Sequence, residues 1–195
     1  MFSKKGFIII CLVILSALLI TGCLPTTTII TPEEYFTFDS TTGTITDYDI
    51  AGGLDVVIPS TIGGVAVEHI GIDAFLEKYL TSVIIPDSVV SIGACAFRNN
   101  LLTLVAIGNS VTSIDYRAFY NNQLISVTIP NSVTSISYSV FAYNPLSSVT
   151  IGSGVAIDDA NLDTMGTNPG FKTVYDGGGK LAGTYNYTGG VWVKV

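Results

Sequence analysis

The chain has 195 residues, of which 48% are apolar by type and 12% charged, and its 15 acidic against 8 basic side chains leave a net charge of −7. That length supports one domain with a real core, and the high apolar content with low charge excludes disorder over most of the chain. The acidic balance excludes nucleic acid as a partner, since phosphate binding needs clustered Lys and Arg.

The amino-terminal segment is an address. Lys4 and Lys5 precede an apolar run of 14 residues, Phe7 to Ile20. A membrane span needs ~20 residues, so the run has the length of a signal-peptide core. It ends in Leu19-Ile20-Thr21-Gly22-Cys23, which resembles the lipobox of bacterial lipoproteins. The resemblance implies cleavage before Cys23 and a diacylglycerol on its sulfur, hence attachment to a membrane. Stable anchoring needs about two acyl chains, which a lipoprotein carries on this one residue. Removal of 1–22 takes Lys4, Lys5 and Cys11 with it and moves the net charge from −7 to −9. With Cys23 acylated, Cys95 has no partner and no intramolecular disulfide forms. Residues 23–34, rich in Thr and Pro, then read as a tether. Its eleven residues after Cys23 reach at most ~40 Å.

Residues 35–57 alternate as a β cap. Tyr35-Phe36-Thr37-Phe38 and Thr44-Ile45-Thr46-Asp47-Tyr48 flank Ser-Thr-Thr-Gly, the pattern of a hairpin. The segment 58–151 is a repeat with a period of 22. Phe75, Phe97, Phe119 and Phe141 form one ladder; Ile70, Ile92, Ile114 and Ile136 a second; Leu80, Leu102, Leu124 and Leu146 a third; Val83, Val105, Val127 and Val149 a fourth. Each unit pairs a short strand, Leu-x-x-Val-x-Ile closed by Pro or Gly, with a return segment ending near Ala-Phe. The first unit carries a Gly63-Gly64 insertion.

A single unit cannot stand alone. Ordering costs ~1–2 kcal/mol per residue, while about five large apolar side chains return only ~1.5–3 kcal/mol each. Stacking lets like side chains bury one another and lets adjacent strands pair, so the fold expected is mainly β: a solenoid with a parallel sheet on one face, capped by β-hairpins at both ends. Asn100, Asn122 and Asn144 follow the same period and read as a structural ladder bonding backbone at turns.

Leu80 to Phe97, reading Leu-x-x-Val-x-Ile-Pro-x-Ser-Val-x-x-Ile-Gly-x-x-Ala-Phe, resembles the BspA-like leucine-rich repeat. Departures are modest: Ser137 stands where Gly71 and Gly93 stand, and Val140 replaces Ala. The resemblance implies a bacterial surface or secreted protein of the adhesive kind. Residues 152–195 form the carboxy-terminal cap, with Phe171 to Tyr175 expected as a last strand and a closing hairpin around Gly189-Gly190.

Catalytic chemistry finds little support. His69 is the single histidine and no Gly-x-Ser-x-Gly elbow accompanies it. Asp176-Gly-Gly-Gly-Lys180 lacks the first Gly of a phosphate loop and continues with Leu181. Asp159-Ala-Asn161-Leu-Asp163 resembles the start of a calcium loop, but Thr164 and Gly170 occupy the Gly and Glu positions, and an acidic solvated loop fits better. Cys95 aligns with Asp73, Arg117 and Ser139, a tolerant position expected to be partly exposed, without a zinc partner. No metal and no cofactor is expected.

A binding surface is the remaining reading. Strand alternation turns two columns outward: Ser82, Leu104, Ser126, Ser148 and Ile84, Ala106, Thr128, Thr150. This uncharged, hydroxyl-rich face suits an extracellular or cell-surface protein or a glycan, and suits plain solvent equally well. Tyr116, Tyr120, Tyr138 and Tyr143 make a convex-side interface a competitor. The function read from the sequence is a lipid-anchored, non-catalytic adhesion module; the alternative is a self-assembling envelope component.

Overall fold

A computed structural model describes residues 29–158 and 170–195. Cys23 and the acidic loop residues Asp159, Asn161 and Asp163 lie outside them.

The described chain is a β-solenoid of about five turns, each with three sides. In chain order the strands are β1 (Phe36–Asp39), β2 (Thr44–Tyr48), β3 (Asp55–Val57), β4 (Thr61–Ile62), β5 (Val65–Ala66), β6 (His69–Ile70), β7 (Ser82–Ile84), β8 (Ser91–Ile92), β9 (Leu104–Ala106) and β10 (Ser113–Ile114). They continue as β11 (Ser126–Thr128), β12 (Ser135–Ile136), β13 (Ser148–Ile151) and β14 (Ala156–Ile157), followed by helix α1 (Phe171–Gly177) and strands β15 (Gly183–Thr188) and β16 (Val191–Lys194).

The Leu-x-x-Val-x-Ile segments form the first side. β3, β7 and β9 pair in parallel, with Val56, Val83 and Val105 in register. β11 and β13 pair in the same way, with Val127 opposite Val149. β9 and β11 lie side by side, yet among the described residues no ladder joins them, so this side is two sheets rather than one.

The return segments add a sheet of their own, beyond the single sheeted face read from the sequence. β2, β6, β8, β10, β12 and β14 pair in parallel and align Ile45, Ile70, Ile92, Ile114, Ile136 and Ile157, all buried. Ile45 belongs to the amino-terminal hairpin of β1 and β2, so that cap continues the coil rather than sitting on its end.

The third side is laddered without strands. Asp73, Phe75 and Glu77 donate their N–H groups to the carbonyls of Ala94, Ala96 and Arg98 on the next rung, and the following rungs repeat this. Asp73, Cys95, Arg117 and Ser139, and again Glu77, Asn99, Asn121 and Tyr143, take left-handed φ values of 54–59°. In each rung two left-handed residues thus lie four apart and bracket the phenylalanine, which is not left-handed. Left-handed backbone is costly for side chains other than Gly, Asn and Asp. Three inter-rung bonds per turn offset that cost. The position shared by Cys95 and Ser139 is not uniformly exposed: Cys95 is half-buried and Ser139 buried.

Inside, the four phenylalanines stack with centroids 4.8, 5.2 and 5.4 Å apart. Tyr48 lies 5.3 Å from Phe75 and closes the stack at its amino-terminal end. The asparagine ladder is built as expected. Asn122 Nδ2 donates to the carbonyls of Phe119 on its own rung and Phe97 on the previous one, while its Oδ1 accepts from Leu102 N–H. Asn100 and Asn144 repeat the set. Each buried amide therefore satisfies backbone groups of two rungs at once.

The insertion at Gly63-Gly64 is the turn of a small hairpin, β4 with β5, and both glycines have positive φ. At the far end β15 joins β13 antiparallel and β16 pairs with β15, giving the expected closing hairpin. Phe171 to Tyr175 is not the expected strand but the start of α1. Its buried residues, Phe171 and Tyr175, are four apart and share one helical face, where a strand would also have turned Thr173 inward.

Candidate binding surfaces

The columns read from the sequence do face outward, with Val83 and Ile85 buried beneath Ser82 and Ile84. Their ends are engaged by the caps. Ser82 Oγ donates to Asp55 Oδ1 at 2.6 Å, Ser148 Oγ to Asn186 Oδ1 at 2.8 Å, and Thr150 and Thr184 share a hydrogen bond of 2.9 Å. The two hydroxyl bonds to Asp55, from Ser82 and from Thr81, hold its carboxyl below the usual range. Leu104, Ala106, Ser126 and Thr128 stand exposed in the middle, on either side of the break between β9 and β11.

Hidden from the period-based reading is a groove on the opposite sheet. It encloses about 560 Å³ and crosses β8, β10, β12 and β14. Ser91, Ser113, Ser135 and Ala156 form one row and Gly93, Asp115, Ser137 and Asp158 a parallel row, with the backbone of Ile92, Ile114, Ile136 and Ile157 between them. Parallel strands lie ~4.8 Å apart, so hydroxyls recur along the groove at that interval. The signal was present in the sequence: Ser91, Ser113 and Ser135 are one period apart. It went unread because the return segments were not expected to form a sheet.

His69 heads the serine row, and its Nδ1 lies 2.8 Å from Ser91 Oγ. Asp176 sits at the end of α1 and pairs with Lys172 and, at 3.9 Å, with Lys180, so these residues brace the cap rather than form a phosphate loop. Among the described residues no group of three or more His, Cys, Asp or Glu is placed to hold a metal ion, and no helix is long and apolar enough to cross a membrane.

The tyrosines of the third side form a strip. Tyr116 and Tyr138 have ring centroids 4.3 Å apart, and Tyr120 and Tyr143 4.9 Å. Burial raises the phenol pKa of both Tyr116 and Tyr120.

Three laddered sides, a 22-residue rung and paired Phe and Asn columns define the architecture. Residues 64–162 match the BspA type leucine rich repeat region in six copies. The chain belongs to that family. Among solved structures it is similar to the T. pallidum leucine-rich repeat protein at 27% identity, with a TM-score of 0.60 over 67% of this chain and 64% of that one. It thus spans under two thirds of that relative. A leucine-rich repeat protein from Bacteroides capillosus is 32% identical, with a TM-score of 0.49, over 59% of this chain and 86% of that one. One from Eubacterium ventriosum shares the fold at 18% identity, with a TM-score of 0.55 over 77% and 41%. No curated protein matches the chain. Family and fold are typically non-enzymatic and consistent with a binding module.

Proposed function

We propose that this BspA-type chain is a surface-anchored lipoprotein whose solenoid serves as a non-catalytic adhesion module for an extracellular or cell-surface protein or glycan. The groove over β8, β10, β12 and β14 carries the reading: four rungs supply one continuous polar recess, of the size a ligand segment fills. BspA-type repeat proteins are generally surface proteins, and the sequence ending at Cys23 supplies a means of attachment. The exposed quartet Leu104, Ala106, Ser126 and Thr128 is the competing face.

Two experiments test this. The chain lacking 1–22, with Cys23→Ala, is screened against immobilised matrix proteins, cell-surface proteins and glycans. A ligand should appear at micromolar concentration, and Ser113→Trp with Ser135→Trp should weaken it about tenfold by filling the groove. Loss instead on Leu104→Arg moves the site to the other sheet, and uniform silence removes the adhesion reading. In the producing cell, Cys23→Ala should abolish incorporation of labelled fatty acid; unchanged labelling would falsify the lipobox.

A second reading, self-assembly in the envelope, draws on β16, whose residues Val191 and Val193, with Val195 beyond, stand exposed beside the last strand edge of its sheet. A stable monomer in light scattering at tens of micromolar, roughly the range of weak association, excludes it.

A further inference from the structure

We infer that the tyrosine strip on the third side is a docking site for an acidic segment of a partner protein, held by Arg98 and Arg117. These are the two arginines of the chain, in a molecule whose net charge is −7. Three of the described lysines meet carboxylates: Lys78 lies 2.8 Å from Asp47, and Lys172 and Lys180 face Asp176. Among the described residues no carboxylate pairs with either arginine, although acidic groups outnumber basic ones. Asp115, next but one in sequence to Arg117, instead accepts the Tyr116 N–H at 2.6 Å.

The arginines lie on rings. The Arg117 guanidinium carbon is 4.7 Å from the Tyr116 centroid and 4.9 Å from that of Tyr120, and Arg98 is 5.6 Å from Tyr120. Stacking occupies the face of a guanidinium and leaves its N–H donors pointing outward in the plane. Both Nε atoms are buried without a partner, so an arriving ligand meets the terminal NH2 groups. Two NH2 groups in one plane match the two oxygens of a carboxylate. The rotamer entropy that a free arginine would lose on binding is already lost here, which favours affinity.

The geometry also selects the class of partner. A sugar ring docks on an open aromatic face, but Tyr116 is covered by Arg117 and Tyr138, and Tyr120 by Arg117, Arg98 and Tyr143. What remains is a pair of half-buried cations rimmed by tyrosine, of which Tyr143 is 60% exposed, the composition of a protein-binding hot spot. Two cations on an otherwise acidic molecule suit a short acidic stretch better than a dense polyanion. This site is separate from the serine groove.

The test uses the full chain in detergent and a fluorescein-labelled octaglutamate peptide, with octalysine and heparin as comparators, read by fluorescence anisotropy. Octaglutamate should bind saturably and octalysine should not bind at this strip. Arg98→Gln with Arg117→Gln should weaken octaglutamate about tenfold or more, with the thermal midpoint retained. Independently of any variant, octaglutamate should protect both arginines from phenylglyoxal, read by mass spectrometry. Absent octaglutamate binding, unchanged affinity in the double variant, or equal modification with and without peptide each overturns the proposal. Heparin binding without octaglutamate binding also overturns it, in favour of a sulfated glycan. Because the groove screen turns on Ser113 and Ser135, either site can fail while the other stands.

Discussion

The central rungs and the carboxy-terminal cap bury aromatic rings in different ways. Phe75, Phe97, Phe119 and Phe141 are near parallel, with interplanar angles of 16°, 3° and 2°. In the cap, Phe171 meets Tyr185 at 78° and Trp192 at 80°, and Tyr175 meets Tyr185 at 77°. Offset-stacked and edge-to-face pairs are both favoured by the ring quadrupole. The phenylalanines of the rungs use only the stacked form because each rung is a translated copy of its neighbour, and translation preserves ring orientation. The cap has no such symmetry and mixes the two, with Phe171 and Tyr175 near parallel at 9° beside its edge-to-face pairs. Its polar contacts are single events too: Tyr175 Oη donates to Gly152 O and accepts from Val155 N–H, clamping the last rung in one place. In the repeat, stability comes from many equal couplings between neighbours; in the cap, from a few unequal ones.

That contrast can be broken in order of effect. Asn122→Ala should rank with the largest losses, roughly 3–5 kcal/mol, because it orphans the Leu102 amide in the interior and takes one of two side-chain donors from each of the Phe97 and Phe119 carbonyls, which Asn100 and Asn144 still reach. Denaturant midpoints decide it, and a cost below about 1 kcal/mol would mean that water replaces the amide. Phe119→Ala should cost about 3–5 kcal/mol and raise amide exchange on both sides of its rung, whereas Trp192→Ala should raise exchange mainly in 171–195. Equal spread of exchange in the two variants would erase the distinction between coupled rungs and a local cap.

Gly108→Ala probes rung spacing. A methyl there would come within 2.3 Å of the Pro86 carbonyl, so the rungs must part, at about 1–3 kcal/mol. An unchanged melting midpoint would show that the spacing yields freely. Alkali should separate the regions without mutation, since the buried tyrosines, Tyr48, Tyr175 and Tyr185, lie in the caps. Burial pushes Tyr48 up to about 12 and raises the other two. A raised folded pKa gives stability that is intact below the ordinary value of 10.0 and is lost as pH climbs toward about 12. Tyr116 and Tyr120 on the rungs are raised as well, so the contrast rests on Tyr48: exchange should quicken first in the amino-terminal cap, and Tyr48→Phe should flatten that response; simultaneous loosening would refute it. The smallest effect belongs to Lys78→Ala. The hydrogen bond from Lys78 holds the Asp47 carboxyl below its ordinary range, so its contribution is present above the ordinary value of 3.8 and fades as pH falls. Exposed pairs of this kind contribute ~0–1 kcal/mol, and a larger measured loss would place Lys78 among the structural contacts.

Much of the rung was legible because period converts directly into contact. A residue repeated every 22 positions must touch its own copy, so Phe119, Ile114 and Asn122 announced their neighbours. A second ladder went unread: Asn121 Nδ2 donates to Asn99 Oδ1 and Asn99 Nδ2 to Glu77 Oε1, since a polar column with a changing residue does not look like a repeat. The eight outward residues from Ser82 to Thr150 were placed on the correct face by alternation alone, but the caps reaching Ser82, Ser148 and Thr150 were not foreseeable. Those contacts join residues 27 to 38 apart, and one partner of each, Asp55, Asn186 or Thr184, lies outside the repeat.

What the sequence determined by itself is the coil and its inward columns, for these follow from spacing and hydropathy, which are properties of the chain taken in order. Only the tertiary structure decided that Phe171 to Tyr175 winds as a helix, that the serine rows border a groove, and that Arg98 and Arg117 lie over the same tyrosine. Each depends on which side of the stack a unique residue meets after the chain has turned, and no local free energy encodes that meeting before the rungs are assembled.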